Sequence, residues 1–477
     1  MEFAYIMLIV ANAYLGYYFY RKIACVEGWI GPLTAVMVFY ALSYPIRAML
    51  ISAFPDSALA DGELYSAADF SIYEICAALF FSTLFMYVLI FVYCRQMRKR
   101  KIRVSHHIVE VQNEPVGQWK KLVLSCLLAA FVLSFFIDLK NGNMFVLGER
   151  EPVTASAWLS VLNLTRAVGL CWLLPYSLLK IYGRRAALSH YFIAIVIVAL
   201  EIARAFVSTA KGSIVMLGLF WLLCASVYKK RFPVGEVALS LIAALAFAGF
   251  SVAAREVGDF SRIKSTGDIP QLVEDVQTHS QGGGLSTHVL RSFSRFGVGL
   301  DGLILCMQPE TARMREGHPD ESWYALGSLG NLTNNVFCRK LVSSSPSLAP
   351  AYDVYLTQTV WGRPGQDSLS PVCRIGEAFF VAGWLGILLY PVIYAWIFNL
   401  IYTRFFQGAG NDLARAFYVC ICALYVWPDD SLFFGYLILL FAFFLRWIMY
   451  ADHLFGRTTG GSRWSRQQHF RAHSSPY

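Results

Sequence analysis

Charge is scarce in this sequence. Only 15% of its 477 residues are Asp, Glu, Lys or Arg, against roughly 25% in an average soluble domain. Hydrophobic residues make up 57%, and the mean hydropathy is +0.51. That balance excludes a freely soluble enzyme, collagen, a coiled coil, a disulfide-rich miniprotein and a disordered tail. CxxC pairs are missing as well. The eleven Cys lie mostly inside apolar segments, as Cys76, Cys126, Cys171 and Cys224 do, so neither a metal site nor a disulfide framework is expected. Cys338 and Cys373 share a long loop and are candidates to pair. There is no P-loop and no HExxH, which removes nucleotide and zinc-hydrolase chemistry. No internal repeat and no matched pair of interrupted helices is visible, so an inverted-repeat transporter has little support.

What is present is a series of long apolar runs. A bilayer core requires about 20 such residues per helix. Eleven segments qualify, at 2–20, 31–52, 72–94, 121–137, 156–180, 189–207, 213–228, 235–253, 377–402, 414–427 and 431–450. The expected fold is an all-α polytopic membrane protein. No basic region precedes the first run and no cleavage site follows it, so it is read as a span. The net charge of +9 does not point to nucleic acid, because the cations sit in short runs between apolar stretches. Arg21 and Lys22, RQMRKRKIR (95–103), Arg184 and Arg185, KKR (229–231), Arg404 with Arg415, and Arg457, Arg463, Arg466 and Arg471 all fall on one side. The opposite loops are cation-poor or acidic, with Asp56, Asp61, Glu63 and Asp69 in one and Asp429 and Asp430 in another. The positive-inside rule then places the N-terminus outside and the C-terminus in the cytoplasm. The expected organisation is an eight-span bundle (1–253), an outer loop (254–376), three further spans (377–450) and a basic tail (451–477).

The outer loop exceeds a hundred residues, too long for a connector and of the length that usually carries function. Within it DIPQLVEDVQ (268–277) has a helix start at Asp268 and Pro270. QGGG (281–284) is a break, and LSTHVLRSFSRFGVGLDGLILCMQ (285–308) reads as an amphipathic or shallowly inserted helix. The stretch around 342–371 is expected to be irregular. Charged residues inside spans cost a few kcal/mol each and are therefore site candidates. Arg47, Glu74, Glu201, Arg204, Lys211 and Glu377 all fall near the outer leaflet. The blander reading is that Arg47 and Arg204 snorkel to headgroups, or that Glu201 and Arg204 pair at i,i+3.

His288, Arg291 and Arg295 follow at i, i+3, i+7 on one face of the loop helix. Two arginines one turn apart form a fork suited to phosphate oxygens, although a solvated helix face would look similar. Arg363 sits in the Gly/Pro turn WGRPGQDSLSP (361–371), shortly before Arg374 and Glu377. These features describe an outward-facing, cation-lined pocket with carboxylates at the membrane edge. Its natural ligand is an amphiphile with an anionic head, and a lipid pyrophosphate fits. Glu377, or else Asp301 or Glu201, is then a candidate general base toward a sugar hydroxyl. Trp323, Tyr324, Tyr352, Tyr355 and Trp361 offer flat faces for sugar rings, a use that composition does not separate from packing.

On this layout the chain resembles the bacterial oligosaccharide repeat-unit polymerases, the Wzy-type enzymes of O-antigen, common-antigen and exopolysaccharide assembly. STAKGSIVMLGLF (208–220) is similar to the family's small-residue turn ending in a cation, with Lys211 where Arg is more usual. RSFSRFGVGL (291–300) resembles its arginine-bearing loop helix, and WGRPGQDSLSPVCRIGEAFFVAGWLGILLYPV resembles the end of the loop entering the next span. The resemblance implies a GT-C-like membrane glycosyltransferase of the bacterial inner membrane that uses no metal or other cofactor. Its substrates would be undecaprenyl-pyrophosphate-linked oligosaccharides, with membrane lipids around it and a polysaccharide chain-length regulator as a candidate partner. Glu377, Arg291 and Arg295 would be catalytic. Arg363, Lys211, Arg204, Arg47, His288 and Asp301 would bind pyrophosphate or glycan. An O-antigen ligase shares this chemistry and stays open, as does the different class of a lipid-linked sugar flippase. So does a structural partner of an export complex without activity of its own.

Overall fold

The structure, a computed structural model, describes residues 2–24, 32–53, 70–99, 118–140, 172–208, 211–228, 298–308, 374–403 and 412–426, with a few isolated positions besides. Among the described residues there is no strand, and every regular element is a helix. That is the expected answer to lipid, where each backbone N–H and C=O must be satisfied within the segment. Five helices are long and apolar enough to cross a bilayer: Glu2–Ile23, Val36–Ala53, Ile72–Met97, Leu188–Ala205 and Arg374–Ile401. Shorter apolar helices at Lys121–Ile137 and Met216–Val227 coincide with the fourth and seventh expected spans. The protein is an α-helical membrane protein. Most of 235–253, the span at 431–450, the greater part of the loop 254–376 and the tail 451–477 lie outside the described residues.

In chain order the elements are α1 (Glu2–Phe19), which ends in a wide π-type turn (Tyr20–Ala24), and α2 (Pro32–Ala41), which runs through a second π-type turn (Leu42–Ile46) into α3 (Arg47–Ala53). Then come α4 (Ile72–Lys99), α5 (Gln118–Lys140), a helical stretch at 172–182, α6 (Leu188–Ser208) and α7 (Lys211–Tyr228). The last are α8 (Val298–Met307), α9 (Arg374–Ile401) and α10 (Asp412–Val426). α4 is the axis of the bundle, packed on α1, on α8 and, most extensively, on α9. α10 bridges α2 and α7, while α6 lies against α5 and α7.

Burial is inverted relative to a protein in water. On α1, Phe3, Ile6, Val10, Tyr14 and Tyr17 recur at three- and four-residue steps and stay exposed, whereas Asn12, Leu15 and Phe19 face inward. A stripe of that kind is an aggregation hazard in water and an ordinary outer face in lipid. The inward polar residues act as glue. The Tyr40 hydroxyl donates to Asn12 Oδ1 at 2.5 Å, and the Asn12 amide donates to Thr83 Oγ1 and to the Leu8 carbonyl, each at 2.9 Å. These bonds tie α1, α2 and α4 together, each contributing about 0.6–2 kcal/mol in a bilayer.

Two local features bend what periodicity reads as straight spans. Pro45 lacks the N–H that an α-helix would direct to Ala41, and its ring crowds that carbonyl. The chain widens into the π-type turn there and resumes as α3, with the Arg47 N–H bonded back to the Tyr44 carbonyl. The ninth expected span departs further. Within α9, Ala382 (φ −138, ψ 18) and Gly383 (φ 56, ψ −141) are not helical. The chain folds back on itself, and the Ala378 carbonyl closes against Gly386, where a Cβ would stand 1.8 Å from its oxygen. In a straight helix those residues lie about 12 Å apart along the axis. Phe379 packs on Phe81 while Tyr394, fifteen residues later, packs on Phe85, one turn along α4 from Phe81. α9 is thus a helical hairpin lying along α4, with a short arm before Gly383 and a long arm after it. The span read over 377–402 is present as an apolar helical segment, interrupted at Ala382 and Gly383. Gly383 has the positive φ that L-residues avoid, and Gly386 leaves room for the returning carbonyl.

Candidate functional site

The hairpin and the π-type turn together build a buried charged site. α8 packs on α4, on α9 and on the Leu42–Ile46 turn. Its residues from Gly299 to Cys306 are all buried. The sequence reading of an amphipathic or shallowly inserted helix covers 285–308; over its described part the helix is buried along Gly299–Cys306, and 285–297 lies outside the described residues. Enclosure is possible because Gly299 has no side chain: a Cβ there would meet Ser43 Cβ at 2.8 Å and the Tyr44 ring at 2.9 Å.

From this close approach Asp301 reaches Arg47. Arg47 Nη2 donates to Asp301 Oδ2 at 3.1 Å and Nε donates to Oδ1 at 3.4 Å, a forked pair between residues 254 positions apart. The side chains are 1% and 6% exposed. Burial pushes the Asp301 carboxyl above its usual range, and the Arg47 guanidinium pulls it back down. Arg47 and Asp301 therefore neutralise each other inside the bundle. Snorkelling, the blander reading of Arg47, does not describe a guanidinium turned inward.

Glu377 is fully buried on the first turn of α9, where the positive end of the helix dipole favours a carboxylate. It faces α8, since burial first and the Glu377 charge second push the Cys306 thiol up to about 12. Arg374 precedes it by three residues and so shares its helix face. Arg374 also borders a small cleft of about 20 Å³, room for about one water, otherwise walled by apolar and aromatic side chains that include Val36, Tyr40, Tyr44, Met86, Tyr394 and Phe398. This places a cation at the edge of an apolar cleft, one turn from a buried carboxylate.

Arg47, Asp301 and Glu377 thus come together on neighbouring elements. Glu201 is buried and Arg204 half-buried on α6, and Lys211 opens α7. α6 and α7 pack on each other, with α5 also against α6 and α10 against α7. His288, Arg291, Arg295 and Arg363 lie outside the described residues, as do Cys338 and Cys373. Glu74 has a local role. Its carboxylate accepts from the Ser71 N–H and hydroxyl, both at 2.8 Å, and its own N–H donates to Ser71 Oγ at 3.3 Å. This is a capping box at the start of α4, legible in the sequence as Ser-x-x-Glu and overlooked among the misplaced charges. Sequence reasoning also missed Arg374 as a cleft residue and Gly299 as the reason α8 fits.

A second ion pair, with Asp412 buried and Lys180 partly exposed, lies elsewhere. Lys180 Nζ meets Asp412 Oδ2 at 2.7 Å, joining the helical stretch at 172–182 to the start of α10, with Tyr176 beneath the ammonium. Among the described residues no group of three or more His, Cys, Asp or Glu could hold a metal ion. No family model matches the chain, and neither a curated protein nor a solved structure matches it.

Proposed function

We propose that this protein polymerises undecaprenyl-pyrophosphate-linked oligosaccharide repeat units at the outer face of a bacterial inner membrane. On this reading it is an eleven-span, Wzy-type glycosyltransferase with its N-terminus in the periplasm. The observation that carries the reading is the enclosure of α8 beside Glu377 and Arg374. α8 begins directly after RSFSRFG (291–297), the arginine-bearing segment suited to phosphate, and it packs against the first turn of α9, which follows the WGRPGQDSLSP turn.

The chemistry asked of these groups is modest. A hydroxyl oxygen of the incoming repeat attacks the anomeric carbon that links the growing glycan to its lipid. The bond from that carbon to the pyrophosphate oxygen breaks, and the polyprenyl pyrophosphate leaves with the electron pair. Glu377 accepts the hydroxyl proton. Arg291, Arg295 and Arg363 hold the developing charge on the leaving group.

Deletion of the gene tests the proposal, with lipid-linked and mature glycans sized by gel and mass spectrometry. Loss of long chains with persistence of single repeats is the expected result. Long chains accumulating on undecaprenyl pyrophosphate would identify a ligase instead, and repeats trapped on the cytoplasmic leaflet would identify a flippase. Arg291→Ala and Arg363→Ala should each abolish polymer in a protein that inserts normally.

A further inference from the structure

Arg47 and Asp301 have the residue types of a phosphate clamp and a general base, and the sequence reading placed both in the binding site. Their geometry suits another task. The guanidinium is turned inward and engages both carboxylate oxygens, at 3.1 and 3.4 Å. Two positions along α8 from Asp301, Gly299 fits against Ser43 and Tyr44 with no room for a methyl group. The helix is therefore held at two points, by shape at Gly299 and by charge at Asp301. The matching points on the other side are Ser43 and Tyr44, within the π-type turn that holds Pro45, and Arg47, directly after it.

A helix pinned at two points has one register. A slip by a single residue would drive the Val298 or Leu300 side chain into Tyr44 and withdraw the carboxylate from Arg47. The segment carrying Arg291 and Arg295 enters this helix directly, and the six residues from Arg295 to Asp301 span at most about 20 Å even fully extended. We infer that Arg47 and Asp301 are a positioning pair. They fix α8 in the bundle and so limit where the arginines before it can reach, without themselves touching substrate. The consequence for glycan length rests on the polymerase reading; the consequence for folding does not.

The test exploits a general asymmetry. Removing one partner of a buried ion pair strands a charge, whereas replacing both by apolar groups of similar size is often neutral or stabilising. The full-length protein carrying Arg47→Met, Asp301→Leu or both is expressed in the deletion strain. Its thermal midpoint is measured after purification in detergent, and its glycan is sized in cells. Each single variant should lower the midpoint and reduce long chains about 100-fold, the penalty typical of a misplaced site. The double variant should recover both. Recovery of the midpoint without long chains would overturn the inference, because the charges would then serve the ligand directly. Single variants with unchanged midpoints would overturn it too. Should the apolar double variant fail to insert, Arg47→Lys combined with Asp301→Glu, which keeps both charges, must restore midpoint and chain length or the pair is not the lock. If gene deletion itself leaves chain length unchanged, the polymerase reading fails while the midpoints still decide the pair.

Discussion

The fold-back of α9 rests on two glycines, and Gly386→Ala addresses it most directly. An alanine methyl would stand 1.8 Å from the Ala378 carbonyl oxygen and 2.7 Å from its carbon. Ordinary contact between such atoms is about 3.3 Å, so the two arms must separate by roughly 1.5 Å. The obstacle is backbone, and no rotamer change can relieve it. Overpacking of this kind costs about 1–3 kcal/mol. The separation also loosens the ring pairs Phe81–Phe379 and Phe85–Tyr394, now at 5.3 and 6.2 Å, each worth about 0.5–1.5 kcal/mol. A total loss of about 2–6 kcal/mol should lower the thermal midpoint of the detergent-purified protein by several degrees. Gly16→Ala is the control, because it meets nothing within 4 Å on α1 and should leave stability unchanged or raise it by up to about 1 kcal/mol. A Gly386→Ala protein as stable as wild type would mean that residues 374–401 form one straight helix, and the account of the site would go with the hairpin.

Three further outcomes are expected from the same assay. Tyr40→Phe removes the donor to Asn12 Oδ1 and should cost about 1–2 kcal/mol; an unchanged midpoint would show that the network tying α1, α2 and α4 is not a structural bond set. Lys180→Ala removes the ion pair to buried Asp412 and should cost about 1.5–3 kcal/mol, with Asp412→Ala added to it recovering most of that loss. A double variant no better than the single would refute the pairing. Glu74→Gln keeps a capping acceptor at the start of α4, so stability should fall by less than about 1 kcal/mol and glycan length should stay at the wild-type value; a collapse of chain length would return Glu74 to the functional site.

Composition and periodicity determined by themselves that the chain is helical and lies in a membrane, because lipid forces every long apolar run to satisfy its own backbone. The described helices fall where the apolar runs of the first, second, third, sixth and ninth expected spans predict them. The same logic marked Arg47, Asp301 and Glu377 as unusual, since a charge within or beside an apolar run is costly wherever it ends up. What each charge faces was decided only in three dimensions. Arg47 and Asp301 are separated by 254 positions, and no local pattern links them. Their meeting depends on Pro45 widening one helix and Gly299 admitting another. The hairpin was equally hidden. G-W-L-G inside an apolar run has the composition of an ordinary span, and Gly383 and Gly386 acquire their meaning only when the chain folds back and the Ala378 carbonyl takes the space a side chain would fill. Hydrophobic burial into lipid depends on composition and is therefore written along the chain. Close packing and ion pairing depend on which surfaces meet, and that belongs to the tertiary structure.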